Sequence, residues 1–395
     1  MALRFHVIGM ISLSVFCLHN PIYAQSSKLS GYIQTVPVIS GQTNVNEQNI
    51  SHFNRFRLSS DSVFESVRVG VAYEQIVTFT ENNQPIGFSV GSVPSGGEWL
   101  NLQWTLNETD HSRWSHRFDR VHVAWQPTDK LEIVAGRQAI SWGTTLFLTP
   151  ADPFAPFDPA DPFREFRAGV DAARIRIYPS NLSEIDVVVR ATKSPLGEEM
   201  SAVARALAVW HNWEVSGWTG HLYGEPAGAV GVAGALGSWA VRGEAVIRRV
   251  RHTNIFRGTF GLDRLVQIKS RDLMIVFEYQ RDGLGAAEPD DYLRILQSAT
   301  YRRGEHQVLG RDETAAQISY QLHPLWNISA LWLQNLNDQS RLISPSIIFS
   351  ASDNTSISGG LFFGAGKNSI TLETPLPSEY GLAGTTGYLS LTWFF

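Results

Sequence analysis

Gly387-Tyr388-Leu389-Ser390-Leu391-Thr392-Trp393-Phe394-Phe395 closes the chain. In an extended strand Leu389, Leu391, Trp393 and Phe395 fall on one face, and Tyr388, Ser390 and Thr392 on the other. A period of two with one apolar and one polar face suits a strand that has lipid on one side and water on the other. A soluble antiparallel sheet can end the same way, so the rest of the chain has to decide between them.

The opposite end favours the membrane reading. Residues 1–24 read as a secretory leader: Arg4 gives a charged start, Val7 to Leu18 an apolar stretch, and Ala24 precedes polar Gln25-Ser26-Ser27. Cys17 is the single cysteine and lies in that leader, so residues 25–395 have neither disulfides nor cysteine-ligated metals. No later segment supplies the ~18 apolar residues of a membrane helix. With 12 Trp, 21 Phe, 11 Tyr and 33 Gly but only 17% charged residues, the exported part has the composition of a transmembrane barrel. A net charge of −5 without a basic patch, together with export to the envelope, argues against nucleic acid as a partner.

Alternating segments recur throughout. They lie near 28–38, 51–60, 63–79, 99–108, 115–126, 131–140, 168–178 and 183–193, then 201–210, 213–223, 227–236, 238–250, 257–268, 271–281, 312–322, 327–337, 341–351, 355–366 and 384–395. Each approaches the ~9–11 residues of a tilted membrane strand. Short links at 126–130, 179–182, 237–238, 323–326 and 352–354 alternate with longer ones at 141–167, 193–200, 282–311 and 367–383, as on the two rims of a barrel. Nineteen candidates break the even parity of bacterial barrels. Either 28–38 is not a barrel strand or Ile86 to Ser92 is an additional one, and the expected fold is an all-β antiparallel barrel of about 18 strands (roughly 16–20). Aromatics near strand ends (Trp99, Trp125, Trp142, Tyr178, Trp210, Trp213, Tyr223, Trp326 and Trp393) are expected in the interfacial girdle.

The link at 141–167 carries Ala-Asp-Pro-Phe twice, at 151–154 and 160–163. Its prolines cannot join a central strand, and its phenylalanines need burial, so it is expected to fold inside the barrel as a constriction or plug. Three roles compete. As a pore-narrowing segment, Asp152, Asp158, Asp161 and Glu165 would face Arg164, Arg167, Arg174 and Arg176 across the lumen. As a plug, the same charges would pair with the wall. As a calcium site, the carboxylates match no established spacing, and no metal or cofactor is expected.

Arg117-Phe118-Asp119-Arg120-Val121-His122-Val123, Gly136-Arg137-Gln138, Trp142-Gly143, the Pro-Asp loop and Ala168-Gly169-Val170-Asp171-Ala172-Ala173-Arg174 come in an order that resembles porin-like outer-membrane proteins, broadly similar to the alginate-export barrel family. The resemblance covers about 115–176 and implies that Arg137 points into the lumen. The terminal Leu389, Leu391, Trp393 and Phe395 also resemble the signal by which the barrel-assembly machinery recognises its clients for insertion among outer-membrane lipid. Acids outnumber bases here, 37 to 32, which departs from a cationic alginate-type lumen.

No Gly-x-Ser-x-Gly, His-Glu-x-x-His or phosphate-binding loop is present, and no enzyme activity is expected. The expected function is a porin-like channel of the bacterial outer membrane for small polar or charged solutes, with Arg137, Asp152, Asp158, Asp161, Arg164, Arg167, Arg174 and Arg176 at the constriction. The alternative is a plugged barrel with a structural role, or one in surface-polysaccharide export or binding, with oligosaccharide as its partner. The sequence identifies no oligomer face.

Overall fold

The computed structural model describes residues 26–44, 47–82, 97–154, 161, 163, 166–371 and 374–395. The expected leader, the Ile86 to Ser92 segment and three of the proposed loop charges, Asp158, Arg164 and Glu165, lie outside the described residues.

Among the described residues the chain forms one sheet of nineteen strands. These are β1 (Ser26–Ser40), β2 (Asn49–Phe64), β3 (Val67–Thr80), β4 (Gln103–Thr109), β5 (Ser112–Thr128), β6 (Leu131–Gln138), β7 (Val170–Ser180), β8 (Ser183–Ser194), β9 (Gly197–Trp210) and β10 (Trp213–Leu222). There follow β11 (Glu225–Leu236), β12 (Trp239–Val250), β13 (Thr253–Ile268), β14 (Arg271–Asp282), β15 (Asp312–His323), β16 (Trp326–Asn335), β17 (Arg341–Ser352), β18 (Thr355–Ala365) and β19 (Thr386–Phe394). Two short helices, α1 (Tyr292–Leu296) and α2 (Ala299–Arg302), sit in the 283–311 loop.

Neighbouring strands are antiparallel, and β1 pairs with β19 from Tyr32↔Phe394 to Ser40↔Thr386. The sheet therefore closes on itself and satisfies its backbone without an open edge in the ring. The parity problem resolves at a place the sequence did not suggest. β3 pairs directly with β5, and β4 pairs only with β5 among the described residues, lying beside its first half. β4 is thus an accessory strand, 28–38 belongs to a true stave, and eighteen strands make the ring.

Closure also decides which face meets water. Leu389, Leu391, Trp393 and Phe395 point outward with 43–55% of their surface exposed, while Ser390 and Thr392 face inward, buried. The same inversion holds elsewhere: Ile175, Ile177, Val187 and Phe277 are exposed outside, and Arg57, Glu74, Asp186 and Glu278 are buried inside. An apolar exterior around a polar interior is the arrangement of a barrel made for lipid, not of a sandwich. Trp125, Trp210, Trp326 and Trp393 are outward-facing, as the girdle requires, whereas Trp99 is exposed outside the strands and Trp142 and Tyr223 are buried in the interior.

One rim is built from two-residue turns at 65–66, 129–130, 181–182, 211–212, 237–238, 269–270, 324–325 and 353–354. The other carries the long links, although 193–200, expected among them, is a two-residue turn at 195–196, because Lys193↔Glu198 and Ser194↔Gly197 continue the ladder.

Candidate functional site

The inward loop departs where β6 stops. Gly136 has φ +112°, and a Cβ there would lie 2.3 Å from the Val121 carbonyl oxygen, so only glycine permits this close bend. The next residue, Arg137, is enclosed. Its guanidinium makes a two-pronged pair with Asp171 (2.7 and 2.8 Å) and donates to the Leu100 carbonyl at 2.6 Å. Asp171 in turn accepts the backbone N–H groups of Trp99 and Leu100 at 2.8 and 2.9 Å, and Glu98 lies 2.8 Å from Arg137. The segment 97–102 is thereby strapped across the notch left where β6 and β7 end. Burial raises the Glu98 carboxyl above its ordinary value even beside this arginine. At 1% exposure, Arg137 serves the rim and not the open lumen.

Inside, the two Ala-Asp-Pro-Phe repeats do the same thing. Asp152 Oδ1 accepts the Phe154 N–H at 3.2 Å and Asp161 Oδ1 accepts the Phe163 N–H at 2.9 Å, each across a proline that has no N–H to offer. Each turn seats a phenylalanine in the wall. Phe154 packs edge-on to Trp142 at 4.9 Å, and Phe163 on Phe53 and Tyr388 at 5.3 and 4.7 Å. Wall side chains hold the same points: Trp142 Nε1 donates to Asp186 at 3.0 Å, Trp218 Nε1 to the Ala151 carbonyl at 2.8 Å, and Arg190 to the Phe154 carbonyl at 2.9 Å. Asp152 also takes Arg167 at 2.5 Å and Ser141 at 2.9 Å. Asp152 and Asp161 are therefore buried turn formers and project no charge into open space.

Residues 144–151 are held differently. Glu244 on β12 accepts the N–H groups of Thr144, Thr145 (2.8 Å) and Ala151 (2.9 Å). Glu278 on β14 accepts those of Leu146 (2.6 Å), Phe147 (3.0 Å) and Leu148 (2.9 Å). Gln307 adds a third grip, taking the Thr149 N–H at 2.6 Å and donating to the Phe147 carbonyl at 2.7 Å. Gly231 on β11 makes room, since a Cβ there would meet Thr144 Oγ1 at 2.5 Å. Leu148 ends fully buried among Val308, Ala315, Leu333, Leu342, Phe362 and Tyr380.

The described loop residues thus cover the wall from β8 round to β19, reach β2 through Phe163, and leave space between β2 and β7. A cavity of about 360 Å³ lies there, faced by Arg57, Arg68, Arg120, Arg174 and Arg176. The carboxylates that balance these arginines sit behind them: Asp119 takes Arg57 (2.9 Å) and Arg120 (2.6 Å), Glu132 takes Arg68 (2.5 Å) and Arg176, and Asp186 takes Arg174 (2.5 Å). Asp61 is the carboxylate on the cavity surface itself. Phe166 forms an apolar patch of the same lining and lies under Arg57, 4.6 Å from ring centre to guanidinium. A second cavity of about 370 Å³ shares Arg68 and Ala124 with it and reaches the short-turn rim at Glu65, Ser66 and Asp129.

No protein-family profile matches the sequence, and no curated protein does. Solved structures do match over almost the whole chain. OccAB1 of Acinetobacter baumannii superposes with a TM-score of 0.60 at 11% identity, covering 94% of this chain and 97% of that one. A BenF-like porin from Pseudomonas fluorescens Pf-5 gives 0.57 at 9% identity, with 94% and 99% covered. OpdK of Pseudomonas aeruginosa, crystallised with vanillate, gives 0.50 at 10% identity, with 93% and 98% covered. The fold is that of outer-membrane porins. These neighbours support the porin-like half of the expected resemblance and lend nothing to the alginate-export half.

In this porin fold the expected residues separate into two groups. Arg174 and Arg176 face the cavity; Arg137, Asp152 and Asp161 are buried structural members, and Arg167 is paired with Asp152. Arg57, Arg68, Arg120, Glu244 and Glu278 were missed. Their inward parity on the strands was readable, but nothing in the sequence distinguishes them from other lumen-facing polar residues.

At the outer rim of the porin fold the long loops are tied by acids. Glu379 accepts the N–H groups of Leu309 (2.7 Å) and Gly310 (3.1 Å) and the Asn335 amide (2.7 Å), while Asp338 takes the Tyr292 hydroxyl (2.6 Å) and the Glu379 N–H (2.7 Å). Burial pushes the Glu379 carboxyl up to about 7, and burial pushes His306, in the same 283–311 loop, down to about 4. No grouping suited to a metal ion occurs among the described residues.

Proposed function

We propose that this chain is an outer-membrane channel for passive diffusion of small solutes, and that its preferred solutes are small carboxylates. The observation that carries the reading is the cavity faced by five arginines and by one carboxylate, Asp61. Guanidinium groups lining a narrow path replace part of the hydration of a passing carboxylate and repel cations. The Phe166 patch beside Arg57 suits a solute with an aromatic body, and the crystallisation of OpdK with vanillate makes that compound a sensible probe. Residues 1–24 would direct export, Leu389, Leu391, Trp393 and Phe395 would serve insertion by the barrel-assembly machinery, and no catalytic role is proposed.

The cavities beside the loop favour a channel over the plugged alternative, because the space they occupy runs on to the short-turn rim. The deciding experiment is single-channel recording of refolded residues 25–395 in a planar bilayer, with vanillate and a neutral sugar compared by liposome swelling. Stepwise conductance with anion preference, and vanillate faster than the sugar, is the expected result. Silence from an inserted, heat-modifiable barrel would refute it.

A further inference from the structure

We propose that Glu244 and Glu278 are positioning residues that set the aperture of the pore by gripping the main chain of 144–151. The inference rests on the channel reading only for its conductance arm. Each carboxylate collects three backbone N–H groups: those of Thr144, Thr145 and Ala151 on Glu244, and those of Leu146, Phe147 and Leu148 on Glu278. Consecutive N–H groups converging on one anion form a nest, here with the anion supplied by the wall and the nest by the loop. Both carboxylates are buried, Glu278 at 0% exposure. No lysine or arginine lies within salt-bridge distance of either among the described residues; backbone N–H groups make the direct contacts, and Arg242, paired with Asp263, adds a longer-range attraction at Glu278. Two consequences follow. The inner edge of the loop is held by ligands that look only at backbone, and two negative charges on the wall are withdrawn from the lumen field.

The geometry separates grip from charge. In E278Q the amide carries one acceptor oxygen, and its NH2 group meets a backbone N–H that has lost its partner. In E278D the charge stays but the carboxylate is withdrawn by one methylene, out of reach of all three donors together. Hydrogen exchange of the 142–151 amides, read by mass spectrometry on the full mature barrel, should accelerate about tenfold or more in both variants, the scale of losing bonds to a charged acceptor. Channel conductance and its noise should rise in both, and E244Q should accelerate Thr144, Thr145 and Ala151 in preference to Leu146 to Leu148. Unchanged exchange in E278D and E278Q, with conductance altered in E278Q alone, would overturn the proposal and make Glu278 a pore charge. If E278Q fails to give a heat-modifiable barrel, E278D and E244Q decide by the same readouts. If the wild-type barrel is silent, the channel reading fails while exchange still decides the grip.

Discussion

The two sides of the interior use ionic groups in opposite ways. Along β10 to β18 the ionic groups of the wall are taken up by loops: Glu244 and Glu278 by backbone N–H groups of 144–151, Arg248 and Arg257 by Glu305, while Leu148 fills the apolar cluster. Along β2 to β7 the wall offers guanidinium groups to open space, with their carboxylates set behind. One side fixes a segment and the other borders the open cavity. Overall charge is silent on this division, because a carboxylate that holds main chain and one that faces water count alike.

Four perturbations test the contrast. The largest effect should come from Arg137→Ala at the strap that joins the two sides. Losing one partner of a buried pair leaves Asp171 uncompensated and should cost about 3–5 kcal/mol, measured as a lower midpoint of heat-modifiable mobility. An unchanged midpoint would mean that 97–102 needs no rivet. Next, Phe154→Ala on the fixed side should cost about 3 kcal/mol of loop docking and make 141–167 newly sensitive to protease, with the barrel intact. Equal protease resistance in wild type and variant would deny that Phe154 is an anchor.

On the open side, Arg68→Gln with Arg176→Gln leaves Glu132 without either of its partners. A shift of about 1 kcal/mol, the scale of one charge at ~4 Å in water, changes an ion ratio about fivefold. The reversal potential in a salt gradient should move toward cations by that order, and no movement would take these arginines out of the path. The smallest effect is at the outer rim. Glu379 titrates at about 7 in the folded loop against an ordinary 4.5, so its contribution is complete below pH 4.5 and lost as pH rises through 7. His306 runs oppositely, its contribution present above pH 6.5 and lost as pH falls through 4. Protection of the Leu309 and Gly310 amides, corrected for intrinsic exchange, should fall from pH 5 to 8 in the wild type. In Glu379→Gln the Glu379 arm is gone, and the fall with pH should be smaller than in the wild type. Identical slopes would show that the tie does not depend on Glu379 ionisation.

The barrel was legible because every stave must alternate, and a residue such as Ser390 between Leu389 and Leu391 has one reading in a closed sheet. The odd strand was not. Residues 99–108 alternate like the others, and only pairing reveals that β5 already has β3 on one side and takes β4 beside half of the other. The inward course of the described residues of 141–167 followed from proline and phenylalanine, which exclude them from the ladder and require cover. Its fastening did not, because Glu244 and Glu278 come from strands about a hundred residues away or more, and their donors are backbone groups that carry no sequence signature. Trp142 and Tyr223 were expected in the girdle because position along a strand resembles depth in a bilayer, yet Trp142 lies beyond β6 and Tyr223 in a turn, both facing inward.

A grip on main chain is indifferent to what the side chains are. Leu146, whose N–H is held by Glu278, keeps 40% of its surface exposed. Natural variation at that position could alter what the passage admits while its width stays under the control of Glu244 and Glu278. The frame of the constriction and its lining are thus separable: the first is written in two distant glutamates, the second in whichever side chain stands at 146.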